Sequence, residues 1–168
     1  ETACWRTQEM MLLQQVTSLA SKQLNTQIVF REILHLMSEL LGLNRGRIIL
    51  LEDNKKFGSI KYAYGLTRQE VERGRYALGE GITGSVLEMG QTIIVQNIDE
   101  DHNFLARSVK RENLPQEIVS FYALPIQVDS KTVGVLACHR IRLRRRMMND
   151  DLTILKILTT MISQILYM

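Results

Sequence analysis

The segment that most limits what this chain can fold into is Gly79-Glu80-Gly81-Ile82-Thr83-Gly84-Ser85-Val86-Leu87-Glu88-Met89-Gly90. Its first six residues read G-x-G-x-x-G, the pattern of a dinucleotide-binding loop. That fingerprint needs a buried strand before the loop, a full helix after it, and an acid about 20 residues further on. Asp99 supplies the acid. The preceding Arg73-Gly74-Arg75-Tyr76-Ala77-Leu78 is charged, whereas parallel strands buried on both faces read as near-continuous apolar runs. The helical part, 82–88, stops at Gly90, short of the dozen or more residues that a crossover requires. The glycines serve a different fold.

The pattern around this segment sets the order of elements. Residues 8–24 carry Leu12, Leu13, Val16, Leu19, Ala20 and Leu24 at a helical period, and 28–41 repeat it with Val29, Ile33, Met37, Leu40 and Leu41. Gly42 is a C-terminal stop. Ile48-Ile49-Leu50-Leu51 suits a central strand, and 59–64 alternates as a half-buried one. Thr67 and Glu70 predict a capping box for a short helix over 68–73, ended by Gly74. Strands are expected at 92–96, 118–126 and 131–139, the last two a hairpin turning at Asp129-Ser130-Lys131. A helix over 149–167 closes the chain. Helices that bracket a run of strands point to an α+β class, an antiparallel sheet with helices on one face.

At 168 residues the chain is one domain, large enough for a real core. An apolar fraction of 45% with two prolines argues against disorder. No apolar run approaches a membrane span and the start, Glu1-Thr2-Ala3-Cys4-Trp5-Arg6, is not a signal peptide. Two cysteines make no disulfide framework, so a reduced cytoplasmic setting is expected. The chain begins without Met and reads as an excised fragment of a longer regulator. The net charge of +3 is local: without Arg140, Arg142, Arg144, Arg145 and Arg146 it becomes +3 − 5 = −2. This run reads either as solvated charge at a strand end or as a patch for nucleic acid or an acidic partner surface. It has no interleaved aromatic to stack on single strands.

Arg75-Tyr76-x-Leu78-Gly79-Glu80-Gly81-Ile82-Thr83-Gly84-x-Val86-x-Glu88-x-Gly90 resembles the central segment of GAF domains, small sensory modules that bind ligands or partners. It is most similar to the GAF domain at the N-terminus of Nif-type, sigma-54-dependent transcription activators. The resemblance extends through the helix pair leading to Leu41-Gly42-Leu43, through Leu124-Pro125-Ile126 and Val133-Gly134-Val135-Leu136, to a closing helix with Asp151 near its start. It implies a central antiparallel sheet of five to six strands with helices on one face. Connecting segments would form a pocket on the other face, over about 76–117. Polar groups offered to a ligand there are Arg75, Thr83, Ser85, Arg107 and Ser108, with Asn103 and Asn113; Tyr122 and His139 would contribute from the sheet. Arg107 stands in a connection of about 20 residues, and long loops are more often functional than idle. The resemblance implies a small-molecule effector such as a 2-oxoglutarate-like carboxylate, or a PII-type signalling protein. It implies no cofactor, and DNA and RNA polymerase only through domains absent from this segment.

Catalytic chemistry finds little footing. The run from Gly84 to Gly90 has the wrong spacing for a Walker loop, and Gln91 stands where Lys is required. His35, His102 and His139 fall on separate elements, and Cys4 and Cys138 form no spaced pair for a metal. Some GAF-fold proteins reduce free methionine sulfoxide with clustered cysteines, and these two lie on distant elements. The closing helix carries Leu155, Leu158, Ile162 and Ile165 in one stripe with Ile154, Ile157, Met161 and Met168 beside it, more apolar surface than one sheet face needs. A homodimer is expected, with Leu13, Val16, Leu155, Leu158, Ile162 and Ile165 at its interface. The function expected is a non-catalytic sensory domain of a nitrogen-fixation-type activator, controlling an ATPase beyond Met168. The alternatives are a sensor domain of a histidine kinase or nucleotide cyclase, or a GAF-type reductase.

Overall fold

The computed structural model describes the backbone of residues 2–141 and 146–167, with side chains from Cys4 onward. Two helices come first, α1 (Thr2–Ala20) and α2 (Thr26–Leu41). Asn25 starts α2: its side-chain oxygen accepts from the Gln27 N–H at 2.7 Å. Gly42 ends it at φ +68°, the left-handed conformation that a side chain resists. α1 stops four residues before Leu24, which is exposed, and its N-terminal end reaches further back than the apolar period indicates.

Six strands form one antiparallel sheet: β1 (Asn44–Leu51), β2 (Phe57–Ala63), β3 (Arg75–Ala77), β4 (Ile93–Val95), β5 (Val119–Val128) and β6 (Lys131–Ile141), in the order β3-β2-β1-β6-β5-β4. The β5–β6 hairpin turns on Asp129 and Ser130, both at positive φ, as a tight primed turn requires. Between β2 and β3 lies α3 (Arg68–Arg73), held by the capping box of Thr67 and Glu70. Helix α4 (Gly81–Met89) follows β3, and α5 (Met148–Leu166) closes the chain.

The sheet is covered on both faces. On one side α1, α2 and α5 pack on Ile48, Tyr122, Leu124, Leu136 and Cys138. On the other, α4 and the connection from β4 to β5 pack on Ile49, Phe121, Ala123, Val135 and Ala137. Burial on both faces explains why the central strands read as continuous apolar runs and hide the parity of their side chains.

The three glycines of the G-x-G-x-x-G stretch have separate jobs. Gly79 and Gly81 adopt φ of +83° and +65° at the turn into α4. Gly84 lets that helix lie against β3, where a Cβ would stand 2.3 Å from the Ala77 carbonyl oxygen.

Four of the six residues expected at a dimer interface serve the protomer's own core. Val16, Leu155, Leu158 and Ile162 are fully buried between the helices and the sheet. Leu13 and Ile165 are half-buried against the same cluster. The reason is the placement of α5, whose main apolar stripe lies on β5. The apolar side chains that these helices leave in solvent are Met10, Met11 and Ile157.

The arginine run also takes a different role at the two members that are described. Arg140 and Arg146 are buried and meet at Asp151, which is itself inaccessible to solvent. Asp151 accepts from Arg140 Nε at 2.6 Å and Nη2 at 2.9 Å, from Arg146 Nε at 2.6 Å, and from the Tyr122 hydroxyl at 2.9 Å. Arg146 Nη2 also donates to Glu9 at 2.7 Å, and Arg140 Nη2 to the Leu41 carbonyl at 2.6 Å. Two carboxylates thus balance two guanidiniums, so these arginines form an internal knot joining α1, β6 and α5. They offer no surface to a partner. Arg142, Arg144 and Arg145 lie outside the described residues.

Candidate functional site

A small recess opens between the sheet and the connection from β4 to β5. Its floor is Arg47 from β1 and Phe121 from β5; Tyr76 and Thr83 stand at the sides, and Phe104 to Val109 form the roof. It measures about 20 Å³, room for one water molecule. No carboxylate lines it.

The roof is tied from two directions. Arg73 donates to the carbonyl oxygens of Arg107 at 3.2 Å and of Ser108 at 2.9 Å. Arg107 forms a two-pronged pair with Glu80, at 2.8 and 2.9 Å, and donates to the Arg75 carbonyl at 2.6 Å. The Arg107 guanidinium, with help from the Ala77 N–H, holds the Glu80 carboxyl down at about 2. Both side chains are about a third or more exposed, so the pair is a weak clasp by the usual measure of surface ion pairs. Ala106 in the roof sits at φ +49°.

The expected ligand contacts divide. Thr83, Arg107 and Ser108 line the recess. Arg107 is neutralised by Glu80, and the Ser108 hydroxyl donates to the Glu70 carbonyl at 2.7 Å. Arg75 is outside: it pairs with Glu52 and lies over the Phe57 ring, 3.7 Å from its centre. Ser85 turns back into α4 and donates to the Gly81 carbonyl at 2.6 Å. Tyr122 points to the other face of the sheet, where it donates to Asp151, so it cannot reach the recess. His139 is on the recess side, cross-strand from Phe121 and outside the lining, its ring centre 5.1 Å from that of Phe121 and 6.3 Å from that of Phe104. Burial and the neighbouring guanidiniums of Arg47 and Arg45 hold its ring neutral.

The residue missing from the sequence reading is Arg47. Its side chain lines the recess while the residue is 3% exposed. It donates to the Arg45 carbonyl at 3.0 Å and sits over Phe121, 5.0 Å from the ring centre. Among the described residues it has no carboxylate partner. The signal was available: Arg47 precedes Ile48-Ile49-Leu50-Leu51, and period two puts it on the face of Ile49.

Residues 25–166 match the family model described as GAF domain. The chain belongs to the GAF family. This GAF domain is 33% identical over 131 residues to nitrogen fixation protein AnfA of Azotobacter vinelandii, which covers 78% of the chain and 24% of that protein. It is 30% identical over 132 residues to a Nif-specific regulatory protein of Herbaspirillum seropedicae, covering 79% of the chain and 24% of the relative. The chain thus spans about a quarter of the length of these curated relatives. Among solved structures it superimposes on the NLH2 GAF domain of A. aeolicus in an inactive state with a TM-score of 0.86 at 17% identity, over 97% of this chain and 98% of that one. A free methionine-R-sulfoxide reductase of Neisseria meningitidis gives 0.75 at 17% identity, over 94% and 87% of the two chains. These likenesses confirm the fold, and the second shows that the same fold also houses an enzyme.

In this GAF domain Cys138 lies on the helix side of the sheet, fully buried, and burial pushes its thiol up to about 12. A thiol so placed is withheld from nucleophilic chemistry near neutral pH. A thiol titration of the folded domain should therefore count Cys4, which is exposed, and reach Cys138 only in denaturant. Rapid modification of both cysteines in the native protein would remove this objection to thiol catalysis.

Proposed function

We propose that this GAF domain is the non-catalytic sensory module of a sigma-54-dependent activator of the nitrogen-fixation type. It takes up a small metabolite in the recess or meets a PII-type signalling protein, and it restrains or releases an ATPase domain of the same regulator. The observation that carries this reading is the similarity across more than three quarters of the chain to nitrogen-fixation regulators. The buried, high-pKa state of Cys138 weighs against the reductase alternative. A homodimer would form over the outward sides of α1 and α5, where Met10, Met11 and Ile157 are exposed. Effector binding would shift its balance between two arrangements. The test is the protein encoded by the whole gene. We expect a Walker-type ATPase domain after Met168, with ATP hydrolysis whose regulation changes when residues 1–168 are deleted. A kinase or cyclase domain in that position, or ATP hydrolysis indifferent to the deletion, would overturn the proposal.

A further inference from the structure

We propose that an open basic groove, formed where the start of β1 meets α3, docks an acidic peptide segment of another protein. The groove lies outside the recess, and its role does not depend on which output domain follows.

The groove measures about 540 Å³. It runs between the start of β1, the residues that lead into α3, and the chain from Lys110 to Asn113. Arg45, Arg73 and Lys110 line it. Among the described residues none of the three has a carboxylate partner, whereas Arg75, Arg107 and Arg111 pair with Glu52, Glu80 and Asp99. Two carboxylates also belong to the lining. Glu70 is buried and accepts from the Thr67 N–H at 2.8 Å, so its charge is already engaged. Glu112 is exposed. Positive charge therefore prevails in the groove.

The backbone is bent to place Arg45. Asn44 faces His139 and Arg47 faces Ala137, so Arg45 and Gly46 together stand opposite Cys138 in a β-bulge. Arg45 sits there at φ +51°, a left-handed conformation that a long side chain resists. The chain retains the costly residue although Asn or Gly would fit that backbone better, and such local strain marks functional positions. Arg73 is fixed by the carbonyl oxygens of Arg107 and Ser108, and Arg45 reaches the Asn113 carbonyl at 3.4 Å. Each guanidinium carries five N–H donors, so both keep donors for a ligand.

The lining also selects the class of partner. It holds no apolar or aromatic side chain, so it gives no wall to a small apolar ligand and no platform on which a base could stack. Glu112 opposes a compact dianion such as phosphate. An acidic peptide suits the mixture. Its separate carboxylates meet the cations, while its backbone N–H groups meet Glu112 and the side-chain oxygens of Thr67 and Asn113. Alternate residues of an extended peptide are about 7 Å apart on one face, so one strand can engage more than one cation. With no aromatic anchor the contact is driven by charge, and is weak and sensitive to salt.

Amide chemical-shift mapping on the 168-residue chain tests this, with a short blocked peptide of alternating Glu and Ala as the probe. The Gln–Ala peptide and inorganic phosphate are the comparisons. The acidic peptide should shift the amides of Arg45, Thr67, Arg73, Lys110 and Asn113 before any others, and its affinity should fall several-fold between about 50 and about 200 mM salt. Arg45→Asn removes the charge and suits the left-handed backbone, so it should unfold at an equal or higher temperature than the native chain. Combined with Lys110→Gln it should weaken peptide binding at least about tenfold. Lys22→Gln, an exposed lysine between α1 and α2, should leave the affinity unchanged. The proposal is overturned if the shifts fall mainly outside the groove, or if the Gln–Ala peptide binds as well. It is equally overturned if phosphate perturbs the same amides more strongly than the peptide, if the double variant binds with native affinity, or if Lys22→Gln weakens binding as much.

Discussion

Replacing Asp151 with alanine is expected to lower the unfolding free energy by about 3–5 kcal/mol, because it takes the shared carboxylate from two buried guanidiniums and leaves Arg140 with none. In a domain of this size that is a fall of roughly 6–20 °C in melting temperature. Four donor contacts end on this one carboxylate, from Tyr122, Arg140 and Arg146. Arg140 loses its carboxylate partner and Arg146 keeps only Glu9, and neither can turn to water, since both are buried. Asp150, the next residue, makes only an exposed contact to Arg6 at 3.4 Å. Its change to asparagine should alter stability by no more than about 0.5 kcal/mol. Urea unfolding of the two variants side by side is the measurement. A loss below about 1 kcal/mol in Asp151→Ala would mean that the knot is not what fastens α1 and α5 to the sheet.

Gly84→Ala should be the second severe substitution, and its sign is informative. In the interior of a helix, alanine is ordinarily favoured over glycine by about 1 kcal/mol. At position 84 the new methyl would stand 2.3 Å from the Ala77 carbonyl oxygen and 3.3 Å from the Gly79 carbonyl carbon. Both are backbone atoms that no rotamer change moves aside. The expected result is a destabilisation of about 3 kcal/mol, the upper range for overpacking. A variant as stable as the native domain would show that α4 stands further from β3 than the structure places it.

Much of the fold is legible in the sequence because its signals are local. The period of Val29, Ile33 and Met37, the stop at Gly42, the capping box of Thr67 and Glu70, and the turn at Asp129-Ser130 each act within a few residues. Strand β3 is not legible, since three residues flanked by Gly74 and Gly79 carry no period of their own. The site is harder for a different reason. Arg107 looks free until Glu80, 27 residues away, is brought to it. Arg146 looks solvated until the fold delivers Glu9 from 137 residues away. The face of Tyr122 is hidden because β5 is buried on both sides and its run of apolar residues keeps no parity. Arg47 escaped because it stands at the edge of the apolar run that marks its strand.

That doubly buried sheet has a mechanical consequence. Phe121, in the floor of the recess, is followed by Tyr122, which is bonded to Asp151 on the opposite side. His139, beside Phe121 on the same face, is followed by Arg140, which grips the same aspartate. Successive residues of a strand are about 3.3 Å apart and point to opposite faces. The chamber and the helix anchor are therefore the two sides of one thin wall. Any slide of β5 or β6 along its axis displaces a side chain in each, with no intermediate part to absorb it.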